Sequence, residues 1–206
     1  MEKAFEDSHR VMTLSFHHYD GDFFPGTGNN ISGLGRAINV PLKTGASDAL
    51  YSMLFEDVLS IINLRFHPSA IVLQCGADSV SGDTLGREAE YNLSSEGHAQ
   101  CVKAVKNLNI PLVVLGGGGY TPANVAKCWT RDTSALCGVQ LEDTIPSACL
   151  YKELIGNSLS IESNQDWKDH NLSTRREYRL GKEKVTYLSY LRSKITDAVN
   201  KPHPET

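Results

Sequence analysis

Four short runs in this chain are apolar almost without interruption: residues 11–16 (VMTLSF), 37–40 (AINV), 70–75 (AIVLQC) and 111–115 (PLVVL). A strand with one face in water alternates apolar and polar side chains. Runs this uniform suit strands buried on both faces, as in a parallel sheet covered by helices on each side. Helical patterns fill the intervals. Across residues 48–66, Leu50, Met53, Leu54, Val58, Ile61, Ile62 and Phe66 recur at three- and four-residue steps. The His67-Pro68 step ends that pattern, because a residue before proline is pushed out of the helical region. A second helix is expected through Ala99, Val102 and Val105, capped by Ser94 or Ser95. A third is expected over residues 122–137, where Pro122 suits a first turn. A last one is expected over residues 184–199, after a polar, turn-rich stretch at 156–182 and before a loose KPHPET tail. Strand and helix alternation predicts an α/β fold with an open, mostly parallel sheet flanked by helices.

Composition narrows the function classes. A formal charge of -4 with pI near 6.0 gives no basic surface of the kind that grips nucleic acid, so no direct DNA binding is expected. No apolar run reaches the roughly 18 to 20 residues of a membrane span, so no membrane partner is expected. The five cysteines, Cys75, Cys101, Cys128, Cys137 and Cys149, are odd in number and have no CxxC spacing. They read as reduced, mostly buried thiols of a nuclear or cytosolic protein. The N-x-[ST] matches at Asn30, Asn92 and Asn171 are read as chance. Met1 runs directly into a helix-like stretch and a strand, so the chain reads as one entered in mid-domain.

In an open α/β sheet, ligands gather outside the carboxyl ends of the strands, which directs attention to three segments. QCGADSVSGD follows the third run. Asp78 lies where a loop leaves the sheet, and its carboxylate can serve as an oxygen ligand to a metal. Equally, Asp78 or Asp83 can cap a loop or helix. LGGGGYTPANVAKCW follows the fourth run. Its four glycines allow close backbone approach and deliver Tyr120, whose phenol can donate to a developing oxyanion. They match neither the P-loop nor G-x-G-x-x-G, and a plain tight turn before a helix remains open. SFHHYDGDFFPGTG follows the first run. Phe23 and Phe24 can line an apolar channel or anchor the loop on the core. His17 and His18 lack partners at ligand spacing and are read as structural.

In this order, RVMTLSFHHY…FFPGTG, PSAIVLQCGADSVSGDTLG and PLVVLGGGGYTPANVAKCW resemble the second half of a class I-type zinc-dependent histone deacetylase, with the arginase/deacetylase fold. The similarity covers residues 2–145 of what reads as one domain over 1–206, with 146–206 as a peripheral segment and terminal helix. The resemblance implies a zinc amide hydrolase acting on acetyl-lysine, in which metal-activated water attacks the acetyl carbonyl. Asp78 matches one of the family's two zinc-binding aspartates, and Tyr120 the tyrosine that stabilises the oxyanion. Phe24 matches an aromatic that clamps the lysine stem, Leu85 a residue at the tunnel rim, and Gly118 and Gly119 the glycines beside the tyrosine. Potassium sites are implied too. Ser15 and Phe16 match positions at the inner one. Phe5, Ser8 and Val11 match the outer one, whose expected tyrosine near Arg36 is missing because the loop at 29–36 is short.

The resemblance further implies histone tails or other acetylated proteins as substrates, a corepressor or chromatin complex, transcriptional repression, and a nuclear location shared with the cytoplasm. It departs in two places. The tandem histidines and the D-x-H-H-G-D-G motif, which supply the general base and two zinc ligands, are expected upstream of Met1. On that expectation this chain alone is poorly folded, binds zinc weakly and has no deacetylase activity. Thr84 and Ala123 stand where corepressor-bound members carry inositol-phosphate-gripping arginines, so inositol-phosphate binding is not expected. Two alternatives remain: an inactive truncated chain or interaction module, and an acetylpolyamine amidohydrolase of the same fold.

Overall fold

The computed structural model describes residues 1–19, 21–29, 35–42, 45–85, 91–163, 178–180 and 183–200. The elements in order are α1 (Glu2–Phe5), β1 (Thr13–His18), β2 (Ala37–Leu42), α2 (Asp48–Phe66), β3 (Ile71–Gln74), α3 (Ser95–Lys106), β4 (Leu112–Leu115), α4 (Pro122–Cys137), α5 (Lys152–Ile155), β5 (Tyr178–Leu180), β6 (Glu183–Val185) and α6 (Tyr187–Val199). They divide into two compact units, one of residues 1–43, 57–67 and 170–206, the other of residues 44–56 and 68–169.

In the first unit β1 and β2 pair in parallel, from Thr13 opposite Ala37 to His18 opposite Leu42. Strand β1 starts two residues later than its apolar run, and Thr13 N–H enters the ladder by donating to Arg36 O at 2.8 Å. Strand β2 meets the expectation of burial on both faces: Ala37, Ile38, Val40 and Leu42 are buried, and so is Asn39. Asn39 Nδ2 donates to the Glu2 carboxylate at 3.0 Å, which removes the cost of burying that amide. Helix α6 starts at Tyr187 rather than Lys184, because Thr186 caps it by accepting from Ser189 N–H at 3.2 Å. The residues just before the cap form β6, antiparallel to β5. On α6, Leu191, Ile195 and Ala198 recur at helical spacing and are buried. The guanidinium of Arg192 on the same helix forks onto the Asp57 carboxylate.

In the second unit β3 and β4 pair in parallel, from Ile71 opposite Leu112 to Gln74 opposite Leu115. Here burial on both faces does not hold. Burial alternates along both strands, and Val72, Val113 and Leu115 are exposed on the outward face. Helix α3 begins where expected. The Ser94 hydroxyl accepts from Gly97 N–H at 2.9 Å, while Ser94 donates its own N–H and O–H to Asp48 at 2.8 and 2.6 Å. Helix α4 opens with Pro122 and stops at Gly138, which takes the left-handed conformation (φ 68°). Helices α3 and α4 pack on each other, and Ala77, Val80, Cys128 and Ile161 form a core flanked by Val125 and Trp129.

All five cysteines are free. Cys75 and Cys128 are buried, Cys101 and Cys149 half-buried, and Cys137 exposed, so fewer are interior than expected. Asn92 is buried, which rules out a bulky glycan there, whereas Asn30, Asn171, most of 156–182 and the KPHPET tail lie outside the described residues. No described helix is long and apolar enough to cross a membrane.

The outward face of β3 and β4 generates the first prediction. Replacing Val72 and Val113 together by Thr lowers self-association in light scattering. It leaves the unfolding free energy within about 0.5 kcal/mol, since both side chains are more than half exposed.

Candidate active site

Two strand exits build the site. Past the last residue of β3, Cys75 N–H donates to Leu115 O at 2.9 Å, and two residues on Ala77 N–H donates to Gly118 O at 2.8 Å. The two chains therefore stay paired after the strands end. The first then makes a single 3-10 turn, Ala77–Ser79, with Asp78 at its centre. The second runs through the glycines at 116–119 to Tyr120 and the start of α4.

The glycines are needed for contact. A Cβ on Gly118 would lie 2.1 Å from Asp78 Oδ2, and one on Gly76 2.9 Å from Oδ1, so the half-buried carboxylate is cradled between two backbones. Gly116 faces the Trp129 ring and Gly117 the Gln74 amide, with added methyls at 2.9 and 1.8 Å. Gly119 has φ +132°, which a side chain would resist even without its clash against Val125. Burial pushes the Asp78 carboxyl above its usual range, opposed by its own backbone N–H. Asp83 adds to the rise and His98 counters it.

The turns are locked by Asp83, which is 1% exposed. Its Oδ2 accepts from Tyr120 N–H at 2.6 Å and Thr121 N–H at 3.1 Å, and its Oδ1 accepts from Leu85 N–H at 3.0 Å. Of the capping roles held open for Asp83, the loop cap is the one it performs, through Leu85 N–H, and it also ties in the two residues that precede α4. Tyr120 carries its ring outward, half in solvent, and Leu85 is similarly half-exposed. Trp129 Nε1–H donates to Cys75 O at 2.8 Å and fixes α4 against the end of β3.

Of the remaining expected residues, Phe24, Ser15, Phe16, Phe5, Ser8 and Val11 lie in the other unit, and Thr84 and Ala123 in this one. Phe24 is 85% exposed. Ser15 and Phe16 sit in β1, with Ser15 Oγ 2.9 Å from His17 Nδ1. Phe5 O accepts from Ser8 N–H at 2.9 Å, Ser8 Oγ accepts from Arg10 N–H at 3.2 Å, and Val11 leads into β1 half-buried. His17 Nε2 meets Gly28 O at 2.8 Å, and burial pulls its imidazole pKa down. Buried His18 stacks edge-on against Phe23, its ring 5.4 Å away. Thr84 hydrogen-bonds Thr121, and Ala123 lies in the first turn of α4.

Sequence reasoning missed a buried cluster. His98 on α3 and Cys128 and Asp132 on α4 bring ligand-type atoms within 4.8 Å of one another. Cys128 and Asp132 stand four residues apart on one helix, but nothing in the strings brings His98 to them, because it comes from another helix and meets them only through the α3–α4 packing.

A family model for the histone deacetylase domain matches residues 1–136. The chain belongs to the histone deacetylase family. It is 48% identical over 157 residues to histone deacetylase 19 of Arabidopsis thaliana, covering 74% of this chain and 30% of that protein. It is 43% identical over 182 residues to type-1 histone deacetylase 1 of Dictyostelium discoideum, covering 82% and 36%. It is 47% identical over 151 residues to human histone deacetylase 1, covering 71% and 30%. The chain thus spans about a third of the length of these relatives, and its α/β architecture with parallel strands is that of the deacetylase fold.

For a histone deacetylase the question is whether these residues fit zinc, and at Asp78 alone they do not. Among the described residues the only converging group of three His, Cys, Asp or Glu is His98, Cys128 and Asp132, which excludes Asp78. Catalytic zinc takes three protein ligands, and the Asp78 turn offers one.

The lock itself is testable. Asp83→Ala strands the Tyr120 and Thr121 N–H groups and should cost about 1 to 3 kcal/mol per unsatisfied group in urea unfolding. Asp83→Asn, which keeps an acceptor oxygen, should cost less.

Proposed function

We propose that this chain carries the oxyanion-stabilising part of a protein-lysine deacetylase site, with Tyr120 as the donor and Asp78 as one metal-binding oxygen. Support comes mainly from the shared anchoring of the two turns. The Ala77 to Gly118 hydrogen bond and the Asp83 carboxylate hold the Asp78 and Tyr120 segments at one end of the β3–β4 pair. That is the edge where α/β sheets bind ligands. Hydrolysis of acetyl-lysine breaks the amide C–N bond, releasing acetate and the lysine ammonium. As water adds to the carbonyl, charge grows on its oxygen, and a phenol beside it can donate to that oxygen. Tyr120 is half-exposed, so the residue is within reach of a substrate. Phe24 and Leu85 are the proposed aromatic clamp and rim, Gly118 and Gly119 the channel wall beside the tyrosine. Ser15, Phe16, Phe5, Ser8 and Val11 are proposed to border potassium. The natural substrates on this reading are acetylated histone tails or other acetylated proteins, within a chromatin complex that represses transcription.

A second reading is favoured by one observation. Asp78 has no converging partner ligands among the described residues, so this polypeptide by itself suits an interaction module as well as an enzyme. Two measurements separate the readings. The chain alone should bind zinc weakly and leave an acetyl-lysine peptide intact. Joined to the remaining part of a relative's domain, it should deacetylate that peptide. Tyr120→Phe in the joined protein should cut kcat roughly 100- to 1,000-fold. Hydrolysis by the chain alone would refute the incomplete site. A folded, zinc-loaded joined protein without activity would refute the deacetylase reading, and full activity of Tyr120→Phe would refute the assignment of the donor.

A further inference from the structure

His98 is buried, and both of its ring nitrogens face acceptors. Nδ1 lies 2.9 Å from Asp132 Oδ1 and Nε2 lies 3.1 Å from Gly76 O. A backbone carbonyl has no proton to give. A neutral imidazole donates from one nitrogen only. Satisfying both contacts with a carboxylate on one side and a carbonyl on the other requires a proton on each nitrogen. Cys128 Sγ lies 4.0 Å from Asp132 Oδ2, at the long limit of a thiol hydrogen bond, so the carboxylate's main partner is the ring.

The location matters more than the charge. Gly76 is the last residue before the turn that carries Asp78, and its Cα is close enough to that carboxylate that a methyl there would lie 2.9 Å from Oδ1. The next residue, Ala77, donates to Gly118 O. The Gly76 carbonyl is therefore the point at which helices α3 and α4 take hold of both active-edge turns.

We propose that His98, held as an imidazolium by Asp132, is a positioning residue that pins the Gly76 carbonyl and so sets the Asp78 turn. The pinning rests on the deacetylase reading only for its use; the ring's state does not. An ion pair of this kind needs no metal. The three ligand-type atoms of the cluster are used up in its hydrogen bonds.

The groups facing the ring are consistent with this state. From α4 come Asp132 and Cys128; Asp78 on the 3-10 turn interacts with the ring's charge, and Cys75 just past β3 interacts with Asp132 and Cys128. Burial pushes the Cys75 thiol up to about 12 and raises that of Cys128, so both are uncharged near neutrality. Burial alone would pull the His98 imidazole down. The Asp132 hydrogen bond and charge, with a contribution from Cys128, more than offset it and push the pKa up to about 10. The sign follows: a base whose folded pKa lies above its unfolded value of 6.5 gives its full stabilisation below pH 6.5. That contribution is lost as pH rises through about 10.

The test uses the full chain with ring-15N-labelled histidine, the His98 signal being assigned by its absence in His98→Gln. The expected result is a doubly protonated ring across the neutral range, titrating near 10. In Asp132→Asn the ring should be neutral at pH 8. Exchange of the Ala77 amide in that variant should rise about tenfold, the equivalent of one lost hydrogen bond. Asp132→Glu should restore both. A merely space-filling pair would leave the ring neutral in the native chain. A neutral ring at pH 7 in the folded native protein overturns the proposal, as does unchanged Ala77 exchange in Asp132→Asn. Should Asp132→Asn fail to fold, the native titration decides alone. A protonated ring in a protein whose joined form lacks deacetylase activity would sustain this inference and defeat only the proposed function.

Discussion

The Asp83 carboxylate is the constraint on which the candidate site depends. It is withdrawn from water and accepts three backbone N–H groups, two from the segment entering α4 and one from the loop that follows its own turn. Without it, the Tyr120 and Thr121 N–H groups just ahead of α4 would lose this acceptor. The residue that ties the two turns together is also the residue that fixes where Tyr120 leaves the backbone. One carboxylate thus serves loop closure and side-chain placement together.

Three buried or half-buried acids support the second unit, and each is compensated differently. Asp83 takes backbone amides. Asp132 takes an imidazole. Asp48 takes the N–H and O–H of Ser94 at the head of α3, and the space for it exists only because Gly97 has no side chain. Asp78 differs from all three, since burial raises its pKa and the walls around it are glycine backbone rather than donor side chains. A carboxylate left undercompensated in a cradle is suited to a partner that arrives from outside the described residues.

Much of this was legible in the sequence, and what was missed has a physical reason. Helices α2 and α4 fall on the residues that their periodicity and their Pro and Gly signals indicate, because local capping and steric rules act within a few residues. Strand β1 slipped by two residues, since an apolar run does not say which backbone groups find partners. The paired burial expected for β3 and β4 failed because apolarity of a strand does not reveal whether a second layer covers it. Asp78, Asp83 and Tyr120 were visible as residues at strand ends, whereas the His98–Asp132 pair was not. That pair depends on which turns of two helices meet, and no string of one-letter codes states a helix crossing.

The glycine run has a mechanical consequence. Glycine-rich segments are usually read as hinges, yet here each position has a neighbour pressed against the place a methyl would occupy: the Trp129 ring, the Gln74 amide, the Asp78 carboxylate and the Val125 side chain. Glycine in this setting works as a casting mould works, taking its form from walls that stand on every side. Residues 116–119 should accordingly be among the stiffest stretches of backbone in their unit, and the phenol at the end of them inherits that stiffness.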